Sequence, residues 1–336
     1  MGKKTQKGRA SSIDVANLAG VSQSAVSRAF TPGASISDKK KKLIYEAANQ
    51  LNYRPNVIAR SLVQNSTKII GLVMTRFSSP FYADVLGDFT RHIHESGYST
   101  LLLNIDNDKQ VQQVLSTALQ YQVDGLIITS ANLSSVMVDS CQNSKTPIVL
   151  FNRYSENNDL NAVYCDGYDG GRMIAELLLP LHKRFGCIKG EVTSSTSRDR
   201  SMGFITRLEE EGIGEVASEH AEFSYDSGYE AAKKMLAGPD RPDAIFCVSD
   251  LMALGTIDAA REEYQLRIPE DLSVVGFDDI PMANWSAYKL TTAAQPGAKM
   301  VESAVKLLLQ SIESPSRDTV TLKVKTELVI RSSTRS

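Results

Sequence analysis

The chain has 336 residues, 42% hydrophobic and 23% charged, a globular composition too long for one compact core and sized for about two domains. No run of about 18 apolar residues is present, so a membrane span is not expected; no apolar stretch follows the N-terminal lysines, so neither is a secretory signal. The net charge of −2 hides a division: residues 1–65 hold eleven Lys and Arg against three acids, a +8 segment that leaves −10 for the rest. That asymmetry reads as a small basic module for a polyanion, attached to an acidic body with a separate task.

Met1 to Ala10 is a polar, basic tail. Ser12 is then expected to cap a short helix with Val15, Ala16 and Ala19 on one side, which Gly20 breaks. Ser22 caps a second helix, Gln23 to Phe30, and two short helices joined by a Gly-containing turn make a helix-turn-helix. After Pro32-Gly33, Ser37 caps a third helix to about Asn52, with Ile44, Ala47 and Leu51 as its inward face. Tyr53-Arg54-Pro55-Asn56 stops it, and Val57 to Val63 reads as one further short helix.

From Lys68 short apolar runs alternate with amphipathic helices. Expected strands are Ile69–Met74, Thr100–Ile105, Gly125–Thr129, Pro147–Phe151, Ala162–Asp166, Cys187–Gly190, Ala244–Val248 and Ser273–Phe277. Expected helices include Tyr82–Ser96, Val111–Gln120, Gly170–Leu181 and Leu251–Glu263. Such alternation indicates parallel sheets covered on both faces, and eight strands fit two doubly wound lobes better than one sheet. Cys141, Cys165, Cys187 and Cys247 are widely spaced with no CxxC pair, so reduced buried thiols are expected, with no metal and no cofactor.

The second helix of a helix-turn-helix lies in the major groove and presents its N-terminal residues to base edges. Here those are Ser22, Gln23, Ser24 and Arg28; Gln pairs bidentately with adenine, Arg with guanine, and Ser with either, while Val26 reads as core. Lys39 to Lys42 read either as a solvated helix face or as phosphate contacts.

The segments Ile13-Asp14-Val15-Ala16, Ala19-Gly20-Val21-Ser22, Val26-Ser27-Arg28 and Leu51-Asn52-Tyr53-Arg54-Pro55-Asn56 resemble the N-terminus of the lactose-repressor family. So do Ile70-Gly71-Leu72-Val73, Val123-Asp124-Gly125, Asp250-Leu251-Met252-Ala253, Ile268-Pro269-Glu270-Asp271 and Val275-Gly276-Phe277-Asp278-Asp279 further along, in the same order. The resemblance implies an α/β protein: a helix-turn-helix headpiece (1–54), a hinge helix and linker (55–67), and a body like periplasmic sugar-binding proteins (68–336). Its lobes are placed at about 68–166 with 294–320, and 167–293 with 321–336. It further implies base contacts by Gln23, Ser24 and Arg28, and DNA contacts from the hinge by Asn56 and Arg60. Leu62 is expected either to wedge into the minor groove or to be an ordinary hinge-helix apolar residue. By the same resemblance the dimer face involves Tyr82–Ser96 and Leu251–Glu263, and positions matching Arg200 and Asp278 hold ligand hydroxyl or carboxyl groups. Ala25 stands where the family often has Thr.

A ligand between two α/β lobes sits at the C-terminal ends of the strands. The candidates there are Arg76, Phe77 and Ser79, then Phe81, Arg153 beside Asn152, Asp166, the stretch Ser194–Arg200, Ser249 and Asp278. Arg76 stands where family members often carry an acid, and Ser249 where they often carry Asn. Gaining a guanidinium and losing a hydroxyl acceptor points to an acidic effector, a sugar acid or sugar phosphate, with a neutral sugar or nucleoside as the alternative.

No phosphate loop, dinucleotide fingerprint or nucleophile elbow is present, and Asp278-Asp279 lie on opposite strand faces, so catalysis is not expected. A transport-type sugar-binding protein would need export and would carry no DNA headpiece. The expectation is therefore a cytoplasmic homodimeric transcription regulator, a repressor of a carbohydrate-utilisation operon, that binds a pseudo-palindromic operator in double-stranded DNA and answers to a small-molecule effector. No leucine-heptad tail follows the last strand, so a dimer rather than a tetramer is expected.

Overall fold

The computed structural model describes residues 10–31, 33–54, 66–74, 79–105, 111–129, 146–154, 160–314 and 318–335. The chain divides into two compact units between Thr67 and Lys68.

The first unit contains α1 (Ser12–Ala19), α2 (Gln23–Ala29) and α3 (Asp38–Gln50). The cap of α1 is Ser11, not Ser12: its hydroxyl accepts from the Asp14 amide, while the Asp14 carboxylate accepts from the Ser11 backbone and hydroxyl at 2.8 Å. That reciprocal box satisfies amides at the open helix end. Gly20, at φ 64°, ends the helix in the left-handed conformation that costs glycine nothing. Val15, Ala16, Ala25, Val26, Ala29, Ile44, Ala47 and Ala48 form a small core, against which Phe30 packs. The Phe30 ring meets Tyr45 edge-on at 4.9 Å and Tyr53 at 5.9 Å. The hinge residues Asn56, Arg60 and Leu62 lie outside the described residues.

The second unit holds two six-stranded sheets. In chain order its elements are β1 (Ile69–Met74), α4 (Pro80–Glu95), β2 (Ser99–Asn104), α5 (Val111–Gln120), β3 (Gly125–Thr129), β4 (Ile148–Phe151) and β5 (Asn161–Cys165). There follow α6 (Gly167–Leu178), β6 (Phe185–Lys189), α7 (Ser195–Glu210), β7 (Val216–His220), α8 (Tyr225–Leu236), β8 (Ala244–Cys247), α9 (Asp250–Tyr264) and β9 (Ser273–Asp278). A 3-10 turn (Pro281–Asn284), β10 (Thr291–Ala294), α10 (Gly297–Glu313), β11 (Thr321–Val324) and β12 (Glu327–Val329) complete it.

The first sheet runs β11-β5-β4-β3-β1-β2 and the second β12-β10-β9-β8-β6-β7; among the described residues every pairing is parallel except β10 with β12. Each sheet thus starts one strand in from an edge, adds its second strand outward and then grows the other way, which opens a crevice at the carboxyl ends of its strands. The chain passes between lobes three times, after β5, after β10 and after β11, since α10 packs on α4, β3, β4 and β5. One lobe boundary read from sequence is corrected: residues 321–324 pair with β5 and belong to the first lobe.

Four strands went unread. β7, β11 and β12 are sheet edges carrying polar residues such as Ser218, Glu219, Lys323 and Glu327, so they lack the continuous apolar run of a buried parallel strand. β10, Thr-Thr-Ala-Ala, is buried but short and small in side chain.

Candidate functional site

The headpiece presents a polar face along the start of α2. Ser22 caps that helix by accepting from the Ala25 amide, and Ser22, Gln23, Ser24, Ser27 and Arg28 are all exposed. Burial of Ala25, Val26 and Ala29 fixes which way that face turns, so Ala25 packs inward and offers nothing to a partner. In this state the exposed groups bond to one another and to α1: Gln23 donates to the Ser12 hydroxyl at 3.0 Å, the Ser22 and Ser24 hydroxyls lie 2.9 Å apart, and Arg28 Nε donates to the Ser24 carbonyl. Lys39 to Lys42 are exposed on the first turns of α3, where Asp38 and the Ser37 cap offset their unfavourable place at a helix N-terminus.

Between the two lobes of the second unit lies a cleft of about 720 Å³ of empty space, part of it open to solvent. From the first lobe come Ser79 and Phe81 at the start of α4, with Tyr82, and Asn152 and Arg153 beyond β4. From the second come Thr196 and Arg200 of α7, Ser249 just before α9, Leu251, and Asp278 ending β9. Ser79, Phe81, Arg153, Arg200, Ser249 and Asp278 therefore share one cavity; Arg76 and Phe77 lie outside the described residues.

Arg200 is nearly sealed in. One of its Nη atoms donates to the Asp278 carboxylate at 2.9 Å and to the Val248 carbonyl at 2.7 Å, and the guanidinium lies 3.8 Å over the Phe277 ring. Asp278 also accepts from Gln295 Nε2 at 2.6 Å. Burial raises the Asp278 carboxyl above the usual range, opposed by Arg200 and Gln295. Asp278 and Asp279 sit at φ 129° and 58°, a sharp exit from β9 that sends Asp278 to Arg200 and Asp279 to Arg331, 2.7 Å away. The two acids thus serve separate partners.

Six wall residues escaped sequence reading, two of them, Tyr82 and Leu251, beside residues that were read. Glu222, Phe223 and Ser224 follow β7, and Gln295 follows β10, both strands that were not anticipated; the signal for each was its position after a strand. Phe223 takes φ 53°, and its ring covers Gly190 so closely that any Cβ there would collide with it. Beside the cleft, the Tyr154 hydroxyl of the first lobe contacts both Asp199 carboxylate oxygens of α7 at 3.0 Å and accepts from Arg198 at 3.1 Å. Burial raises Asp199, against the pull of Tyr154 and Arg198.

Three polar atoms on the cleft wall are buried with no hydrogen-bond partner: Asn152 Oδ1, Ser249 Oγ and Gln295 Oε1. The amide nitrogens of Asn152 and Gln295 are already engaged by Tyr82 and Asp278. Buried orphans of this kind are rare and costly, and three facing one cavity mark it as a place where a partner supplies hydrogens. Cys165, Cys187 and Cys247 are buried free thiols, Cys165 pushed up to about 11 and Cys187 to about 12 by desolvation, and so unreactive. Among the described residues no cluster of three His, Cys, Asp or Glu side chains could hold a metal ion.

Residues 13–56 match the bacterial regulatory proteins of the lacI family, and residues 175–334 match a periplasmic binding protein-like domain. The chain is 33% identical over 328 residues to the HTH-type transcriptional repressor PurR of Pasteurella multocida, covering 96% of this chain and 98% of that one. It is 34% identical, over the same shares, to the PurR repressor of Mannheimia succiniciproducens. Among solved structures it is similar to the lac repressor dimer bound to operator and the anti-inducer ONPF, with TM-score 0.89, 25% identity and coverage of 98% and 100%. A complex of the transcriptional regulator CelR with cellobiose is also similar, with TM-score 0.73, 26% identity and coverage of 97% and 100%.

Proposed function

We propose, on the premise that this chain belongs to the lacI family of bacterial regulatory proteins and is a DNA-binding transcriptional repressor, that its inter-lobe cleft takes a neutral, hydroxyl-rich effector of the sugar or nucleoside type. The cleft is a binding site and not a catalytic one. Ser22, Gln23, Ser24 and Arg28 read base edges of a pseudo-palindromic operator, and a homodimer places two such helices on its half-sites. Asn56, Arg60 and Leu62 extend that contact through the hinge, and the face formed by α4 and α9 joins the two subunits. No helix among the described residues is long and apolar enough to cross a membrane, and the reading places the protein on DNA in the cytoplasm.

The observation that carries the effector class is the set of orphaned atoms on the wall, Asn152 Oδ1, Gln295 Oε1 and Ser249 Oγ. Amide oxygens only accept, so the ligand that completes them brings O–H or N–H donors. The ring edges and faces of Phe81, Tyr82 and Phe223 suit the apolar side of a sugar or a base. An acidic effector has less support than the sequence suggested. Arg153 and Arg200 are balanced in the same cavity by Glu222 and Asp278, and the Arg200 charge is already spent on Asp278. On this reading the regulated genes handle the compound the cleft holds, which is carbohydrate utilisation where that compound is a sugar.

Calorimetric titration of the full chain with neutral monosaccharides and disaccharides, nucleosides, aldonates and sugar phosphates tests this reading. The expected result is binding by a neutral compound that weakens when Gln295 becomes Leu. Binding confined to aldonates or sugar phosphates would overturn it.

A further inference from the structure

Asp250 is the first residue of α9 and is completely buried, yet it does not line the cleft. One of its oxygens accepts the Thr292 hydroxyl of β10 at 2.6 Å, and the other accepts the backbone N–H of Ile280 at 2.9 Å. Those two donors belong to the two segments that deliver Asp278 and Gln295 to the cleft: Ile280 ends the sharp turn out of β9, and Thr292 lies three residues before Gln295. The packing leaves no slack. Strand β9 passes so close that a Cβ at Gly276 would collide with the Asp250 carboxylate.

The turn itself is costly. Asp278 at φ 129° and Asp279 at φ 58° occupy backbone regions that non-glycine residues rarely adopt. It holds its shape because it is gripped on each side. Arg331 binds the Asp279 carboxylate and the Leu290 carbonyl, while Asp250 binds the Ile280 amide. Burying a carboxyl completely is among the most expensive choices a core position allows, and is repaid only when its acceptors are used. Burial and the nearby Asp278 charge raise the Asp250 carboxyl, and the Thr292 and Ile280 bonds oppose that rise.

We propose that Asp250 is a positioning residue of the effector site, fixing the Asp278 turn and the Gln295 strand end relative to each other and to the start of α9. The inference rests on the cleft being the effector site proposed above. It adds that effector affinity depends on a carboxylate the effector never touches, and that one side chain at the start of α9 bonds both segments that carry Asp278 and Gln295 to the wall.

The test uses the full chain with Asp250→Asn, Asp250→Ala and Thr292→Val. The first readout needs no effector: hydrogen exchange of a peptide spanning residues 276–285, followed at the Ile280 amide. Asn keeps an acceptor for Ile280 and a group for Thr292, so its exchange is expected within about threefold of the wild type, whereas Ala exchanges faster by about a hundredfold as the turn opens. Thr292→Val keeps the carboxylate and loses one donor, so it lies between them; should the Ala variant fail to fold, this variant decides. The second readout is calorimetric affinity for D-glucose, D-ribose and uridine, expected to fall about tenfold or more in the Ala variant and to return in the Asn variant. Wild-type exchange in both the Ala and Val variants, or an Asn variant as defective as the Ala variant, overturns the proposal. If none of the three probes binds the wild type while the exchange pattern holds, the effector class proposed above is what has failed, and the positioning role stands.

Discussion

Replacing Asp278 by Ala tests the organisation of the cleft most severely. Asp278 is the anionic partner of Arg200, and their side chains are only 12% and 3% exposed, so neither is screened by solvent. Removing one member of a buried pair strands the other, at about 3–5 kcal/mol. Arg200 keeps the Val248 carbonyl and the Phe277 ring, which holds the cost toward the lower end. Gln295 loses its acceptor at 2.6 Å, adding about 1 kcal/mol. The expected loss is therefore about 3–4 kcal/mol, or about 6–16 °C in melting temperature at about 2–4 °C per kcal/mol for a body of this size. Trp285, the single tryptophan, lies seven residues beyond Asp278, so urea unfolding followed by its fluorescence reports on this lobe. Arg200→Met and the double variant complete a cycle, in which the double variant should lose less than the sum of the singles by about 2 kcal/mol or more. Strict additivity, or a loss below about 1 kcal/mol in Asp278→Ala, would refute the reasoning.

Three further outcomes follow from individual residues. Gly203 sits in α7 where a Cβ would run into the Tyr168 backbone oxygen of α6, so Gly203→Ala should cost about 3 kcal/mol or more in urea unfolding, although Ala is the better helix former by about 1 kcal/mol. His182 is buried between the Leu178 carbonyl and the Ser273 hydroxyl, and desolvation lowers its pKa below 6.5. Its unfolded form binds the proton more readily, so its contribution to stability is full above about pH 6.5 and is lost as pH falls through the lowered folded value; unfolding measured from pH 7.5 to 4.5 should be flatter in His182→Asn. Arg28→Ala should weaken operator binding by about 1–3 kcal/mol and relax preference at one base pair, measured by anisotropy over a set of single-base operator variants.

The buried architecture was legible because a parallel strand covered on both faces writes itself as a continuous apolar run, as Ile69–Met74 and Ala244–Cys247 do. Edge strands obey no such rule, and with β7 went Glu222, Phe223 and Ser224. The headpiece was legible through its caps and its glycine, apart from a one-residue shift to Ser11, because Ser11 and Ser12 are equally good caps and only the Asp14 carboxylate chooses between them. The pairing of the cleft arginines was hidden for a different reason. Arginines count equally in a sequence, but Arg200 spends its charge on an acid 78 positions away, which no local pattern announces. Asp250 was visible as part of a motif, yet its partners Ile280 and Thr292 come together only in the folded lobe.

Coupling between the cleft and DNA is the central claim, and one titration addresses it. Fluorescence anisotropy of a labelled pseudo-palindromic operator, at fixed salt, is measured with and without the neutral compound that calorimetry identifies. A shift in operator affinity of at least about fivefold, the lower end of ordinary allosteric linkage, and its disappearance in Asp278→Ala, is the result expected. Operator binding that is tight but indifferent to a compound bound in the cleft would contradict the account.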